Sequence, residues 1–118
     1  MAKVFLVEDD PDLLELERRY IELGGHEIVL VASSLSDALD KTSQLRRMGV
    51  EIAIVDGNVG SGPEDGPKIY KTIKEVISIP VVSFSGDIVN WADENPRKPM
   101  DIFKLGKIVT QILNKKEK

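Results

Sequence analysis

Three acids, a hydroxyl and an ammonium stand on this chain where short apolar runs give out. Glu8 and Asp9 follow Val4-Phe5-Leu6-Val7, and Asp56 follows Ile52-Ala53-Ile54-Val55. Ser85 follows Val81-Val82-Ser83-Phe84, and Lys98 precedes Pro99 a little further on. If the runs are strands of one open parallel sheet, their carboxyl ends share an edge, and ligands bind in the crevice outside it. Acids gathered there repel one another unless a cation balances them. Mg²⁺ suits the task, taking one or two carboxylates together with waters and phosphate oxygens. One carboxylate can then act as nucleophile towards phosphorus, giving an aspartyl-phosphate. Lys98 and the Ser85 hydroxyl are the groups available to balance charge on the transferring group. The set predicts a cation-dependent phosphoryl site.

The elements that must position these residues follow from the pattern. Short apolar runs alternate with segments of helical period, which is the signature of an α/β protein with a parallel sheet. The first strand is expected over Lys3 to Val7, with Asp10 as N-cap and Pro11 as first residue of the helix that follows. Leu13, Leu16, Tyr20 and Leu23 recur at helical spacing, and Gly24-Gly25 stops that helix. Strand two is Ile28 to Val31. Helix two opens near Ser36-Asp37, with Ala38, Leu39, Thr42 and Leu45 inward, and ends at Gly49.

Strand three is Glu51 to Val55, and helix three carries Ile69, Ile73, Val76 and Ile77. Pro80 enters strand four. The last helix runs from about Met100 to Asn114 with Ile102, Leu105, Ile108, Val109 and Ile112 on one face. Right-handed crossovers with short loops favour strands one and three as central neighbours, with strand two outside. Regularity fails between Gly86 and Arg97, a stretch too short for both a full crossover helix and a normal strand. A turn or two of helix over Asp87 to Glu94 and a very short fifth strand beside Lys98 are expected there.

Length and composition set the outer bounds. At 118 residues, 42% hydrophobic and 31% charged, the chain reads as one globular domain with room for a core, spanning 1–118 with no effector domain. No apolar run approaches the ~20 residues that cross a bilayer, and no signal peptide is expected before the first strand. Cysteine is absent, compatible with a reducing, cytoplasmic setting. The net charge is −4 and the basic residues cluster only at Lys115, Lys116 and Lys118, so neither nucleic acid nor membrane is an expected partner.

Other motifs carry plainer readings. Gly57, Gly60, Gly62 and Gly66 resemble a phosphate cradle in composition only. Gly62 is followed by Pro63 rather than by the lysine of a P-loop, and strand one leads into acids rather than G-x-G-x-x-G. The loop is expected to be flexible, with its backbone helping to hold the metal. His26, the sole histidine, reads as structural, and without a second histidine or a cysteine a zinc site is not expected.

Taken in order, these residues resemble the receiver domain of two-component response regulators over essentially the whole chain. The segment KVFLVEDDPD (Lys3 to Asp12) is a specific opening for that family. The resemblance implies a flavodoxin-like (CheY-like) doubly wound sheet of five parallel strands in the order 2-1-3-4-5, here with its fourth helix and fifth strand truncated. It implies Asp56 as phosphoacceptor and metal ligand, Asp9 as the principal metal-ligand acid, and Glu8 acting on the metal through water. Asn58 matches the residue whose main-chain carbonyl ligates the metal, Ser85 the switch hydroxyl, and Lys98-Pro99 the lysine and its proline. Asn58 and Asp87 fall where side chains tune the lifetime of the phosphorylated state.

Three departures stand out. The loop from Asp56 to Gly66 is about two residues longer than the version common in that family, resembling a glycine-rich subtype. The region after strand four is shortened. The aromatic switch position three before the lysine is Asn95, leaving Trp91 as the nearby aromatic that either reports on the switch or packs a short helix.

The function expected from this is a stand-alone receiver. It accepts a phosphoryl group on Asp56 from a histidine kinase or histidine phosphotransfer protein, with Mg²⁺, and signals by protein contact. It modifies itself rather than turning over a substrate, so it is not expected to be an enzyme. One alternative is a degenerate receiver serving as a phosphorylation-independent docking module. Another, a phosphohydrolase with an aspartyl nucleophile, wants an acid two residues after the nucleophile, where this chain has Asn58.

Overall fold

The computed structural model of the chain describes residues 2–56, 59–60, 62–85, 89–96 and 101–116. Four parallel strands, β1 (Lys3–Val7), β2 (Glu27–Ala32), β3 (Ile52–Val55) and β4 (Val81–Ser83), form a sheet in the order β2-β1-β3-β4. The register sets Val7 beside Val55, and Val55 beside Ser83, so β1, β3 and β4 end nearly level.

Because the sheet is covered on both sides, its strands are apolar throughout rather than alternating with polar residues. Val4, Leu6, Ile52, Ile54, Val82 and Phe84 face one cluster with Ile21, Leu105, Val109 and Ile112. Phe5, Val7, Ala53, Val55 and Val81 face the other with Ala38, Leu45, Ile69 and Ile73. The helices behind the first cluster are α1 (Pro11–Leu23) and α4 (Leu105–Lys116). Those behind the second are α2 (Leu35–Lys41) and α3 (Asp65–Val76).

Helix α1 starts as its sequence requires. The Asp10 carboxylate accepts from the backbone N–H groups of Asp12 (2.9 Å) and Leu13 (3.3 Å), and Pro11 follows where no N–H is needed. Its inward stripe is displaced from the expected one. Glu17 and Ile21 are buried with Leu13, Leu14 and Tyr20 packed beside them, while Leu16 and Leu23 are 39% and 74% exposed. A charged residue, Glu17, occupies an inward position, so apolar periodicity alone locates the stripe wrongly.

Where α1 ends, Gly24 meets Gly106 of α4. A Cβ on Gly106 would lie 2.7 Å from the Gly24 Cα and 2.7 Å from the Tyr20 carbonyl oxygen, so the two backbones touch with no side chain between them. His26, just below, is 7% exposed. Its Nδ1 accepts from the Ala2 N–H at 3.1 Å, which leaves Nε2 to donate towards Gly106 O (3.1 Å) and Thr110 Oγ1 (2.9 Å). The ring ties β1, β2 and α4 together, a structural role as expected.

Helix α2 is shorter than expected. Ser34 is its N-cap, accepting from the Asp37 N–H at 3.1 Å. After Lys41 the chain tightens into a 3-10 turn, Thr42–Gln44, where the Thr42 hydroxyl donates to Leu39 O at 2.7 Å. That bond competes with helix continuation. A second 3-10 turn, Ile102–Lys104, leads into α4.

The stretch after β4 departs most from expectation. Among the described residues 89–96 the backbone forms bends and no helix. Among the described residues, contact with β4 runs through a bridge between Val82 and Glu94, with hydrogen bonds from Ser83 N to Glu94 O (2.9 Å) and from Asp93 N to Val81 O (2.9 Å). The very short fifth strand expected beside Lys98 lies outside the described residues.

Candidate functional site

The acids at the ends of β1 and β3 converge as the spacing requires. Glu8 N donates to Ala32 O and Asp56 N to Val7 O, each at 3.0 Å, so the sheet's hydrogen bonding carries one residue past each strand and fixes where both side chains start. Carboxylate oxygens of Glu8, Asp9 and Asp56 all lie within 4.8 Å of one another. Glu8 is 1% exposed, Asp56 half-buried and Asp9 exposed, so the cluster opens to solvent on one side. A Glu8 oxygen accepts the Asp10 N–H at 3.2 Å, while Asp10 itself is engaged as the cap of α1 and stands outside the cluster.

Three carboxylates this close, one of them withdrawn from water, are costly unless positive charge joins them. An oxygen-only donor set open on one side suits a hard divalent cation that keeps part of its water shell. The group fits Mg²⁺ at Asp9 and Asp56, with Glu8 behind them.

Ser85 is half-buried at the end of β4, which is joined to β3 by a bond from Phe84 N to Val55 O at 3.1 Å. It therefore lies on the same sheet edge as Asp56. Asn58, Lys98 and Asp87 lie outside the described residues, as does the Lys98-Pro99 peptide.

Spacing gave no sign of the residues that brace this edge. Asp65, the first residue of α3, is 2% exposed and its carboxylate accepts the Val59 N–H at 2.9 Å, pinning the loop beyond Asp56 to the helix. Next in the chain, Gly66 lies against the indole of Trp91, and a Cβ there would overlap the ring, reaching Cε2 at 2.8 Å. Trp91 also meets Tyr70 edge-on at 6.2 Å between centroids. It therefore packs α3, and packs no short helix of its own.

Asn95 does unexpected work at the aromatic position. Its side-chain oxygen accepts the Val89 N–H at 3.1 Å, closing the 89–95 segment into a loop. Asp93 fixes that loop to the body, accepting from Lys74 Nζ (2.8 Å), Val81 N (2.8 Å) and Tyr70 OH (3.1 Å). Partial burial pushes the Asp93 carboxyl up, but the hydrogen bonds from Lys74, Val81 and Tyr70, with the Lys74 charge, carry it below its ordinary value. Desolvation first, and then the Asp93 carboxylate, raise the Tyr70 phenol above its ordinary value against the pull of Lys74.

An acidic crevice at the strand ends of a 2-1-3-4 parallel sheet defines a class, the receiver-like α/β domains. No sequence-family model matches the chain. It is 40% identical over 82 residues, 70% of its length, to the heme response regulator HssR of Staphylococcus saprophyticus subsp. saprophyticus. It is 30% identical over 94 residues, 80% of its length, to the regulatory protein VirG of Agrobacterium tumefaciens. These matches span 34% and 33% of the relatives' own lengths.

Among solved structures, a two-component response regulator from Clostridium difficile superposes with a TM-score of 0.82, covering 100% of both chains at 19% identity. A response regulator receiver domain protein from Clostridium thermocellum gives 0.77 at 23% identity, covering 99% of this chain and 98% of its own. By fold and by sequence likeness together, the chain is a response regulator receiver domain.

Proposed function

We infer that this receiver accepts a phosphoryl group on Asp56 from a histidine kinase or a histidine phosphotransfer protein, in a Mg²⁺-dependent reaction, and passes the signal on by protein contact. The observation that carries the reading is the convergence of Glu8, Asp9 and Asp56 within 4.8 Å at the mouth of the sheet. An Asp56 oxygen attacks phosphorus in line as the phosphorus–nitrogen bond to the donor histidine breaks, and the departing imidazole keeps the electron pair and takes up a proton. Bound Mg²⁺ supplies the positive charge against which the anionic phosphoryl group approaches three acids. Asp9 and Asp56 hold it, with Glu8 acting through water and the Asn58 carbonyl completing the protein's share. Ser85 and Lys98 take the phosphoryl oxygens.

In this reading the chemistry is self-modification, without turnover of a substrate, and it takes place in the cytoplasm. Among the described residues no helix is long and apolar enough to cross a membrane. Intact mass after acetyl phosphate and Mg²⁺ tests acceptor, metal and competence together. Wild type should gain one phosphoryl group and Asp56→Asn none, and equal labelling of both would end the assignment.

A second reading, a phosphorylation-independent docking module, draws support from the bent, helix-free residues 89–96 after β4. Magnesium titration separates the two, because a docking module has no use for the ion.

A further inference from the structure

We propose that Trp91, seated on Gly66, takes the place of the missing aromatic switch, and that the state of Asp56 reaches it through Asp65 and the first turn of α3. The inference rests on the reading of Asp56 as phosphoacceptor.

Beyond Gly57 and Asn58, which lie outside the described residues, the contacts run from Val59 to Trp91. Val59 lies three residues past Asp56, is 3% exposed, and gives its N–H to the Asp65 carboxylate at 2.9 Å. Asp65 and Gly66 are consecutive in α3, and both are buried. The indole rests on Gly66 with no Cβ between ring and backbone. Close-packed groups do not deform gradually, so a shift of that turn moves the ring or is refused by it.

The loop that carries Trp91 is fastened differently on its two sides. Over α3 it is held by the aromatic contacts with Gly66 and Tyr70. Opposite, it is held by the Asp93 carboxylate, which takes Lys74, Val81 N and Tyr70 OH, and by backbone bonds from Asp93 N to Val81 O and from Ser83 N to Glu94 O. The ring can therefore shift on Gly66 while the loop backbone stays bonded to β4. A dianionic phosphoryl group on Asp56 brings new charge and three acceptor oxygens beside the chain that follows it. Asp65 passes a displacement of Val59 on to Gly66. A shifted Trp91 alters the surface that residues 89–96 offer to a partner.

Trp91 is the only tryptophan, so its emission reads the seat directly. Wild type would be treated with acetyl phosphate and Mg²⁺, with mass and fluorescence followed on the same sample. Phosphorylation should shift the emission to the red and increase quenching by acrylamide. Gly66→Ala, whose new methyl occupies the ring's place, should show the shifted emission without phosphorylation and respond no further.

A mass gain on wild type with unchanged emission overturns this inference and leaves Asp56 as acceptor. Absence of any mass gain overturns the acceptor reading, and this inference with it. An Asp65→Ala variant that takes the phosphoryl group and still gives the full shift overturns the route through α3.

Discussion

Asp93 shows how one side chain fastens a loop. It lies beside β4, and its carboxylate takes the Val81 N–H together with Lys74 and Tyr70. Because its carboxyl lies below the ordinary value in the folded chain, the stabilisation it provides is present above the unfolded value. It is lost as pH falls through the folded value. Asp93→Asn should be less stable than wild type at neutral pH, by no more than about 1 kcal/mol because the pair is screened by solvent. The two should converge in acid. Denaturant midpoints at several pH values check this, and a gap independent of pH would contradict it.

Ser83 makes a complementary case. Its hydroxyl is buried on β4 and no hydrogen-bond partner for it is found among the described residues. An unsatisfied buried hydroxyl costs about 1–3 kcal/mol. Ser83→Ala should raise stability by about 1 kcal/mol at unchanged denaturant slope, and a loss of stability would show that the hydroxyl is satisfied.

At the scale of elements, the join of α1 and α4 is set by two glycines. Gly106→Ala puts a methyl 2.7 Å from the Gly24 Cα and from Tyr20 O, both backbone atoms that cannot swing aside. Overpacking of this kind costs about 1–3 kcal/mol, and it should also loosen the His26 bond to Gly106 O. Thermal melts measure the cost, and an unchanged melting temperature would mean that the helices slide apart freely. Neither glycine announces this in the sequence, where Gly24 reads only as a helix stop.

What was legible follows the same division between local and distant causes. Asp10-Pro11 declared the start of α1 because cap chemistry acts within four residues. The acids at positions 8, 9 and 56 declared the mouth of the sheet because parallel strands end on a common edge. Leu16 and Leu23 misled, since a buried Glu17 breaks the apolar pattern that helical spacing relies on. Asp65, Trp91 and Asn95 were silent or misread. Their partners Val59, Gly66 and Val89 are fixed by loop conformations with no periodic signature.

For the molecule as a whole, the acidic mouth sets stability against readiness. Folding assembles Glu8, Asp9 and Asp56 within 4.8 Å, whereas the unfolded chain keeps Asp56 far from the other two. Without a cation the folded state alone bears that repulsion. A cation that binds the folded state and not the unfolded one stabilises by RT ln(1 + [L]/Kd), about 2.7 kcal/mol at a hundred times Kd. Magnesium should therefore raise the melting temperature of wild type above its value in EDTA. Asp9→Asn separates the two effects, because it removes one of the repelling charges together with a ligand. In EDTA the variant should melt above wild type, and in magnesium below it, so the order of the two proteins inverts. An order that stays the same in both buffers would mean that the three carboxylates do not act on one shared ion.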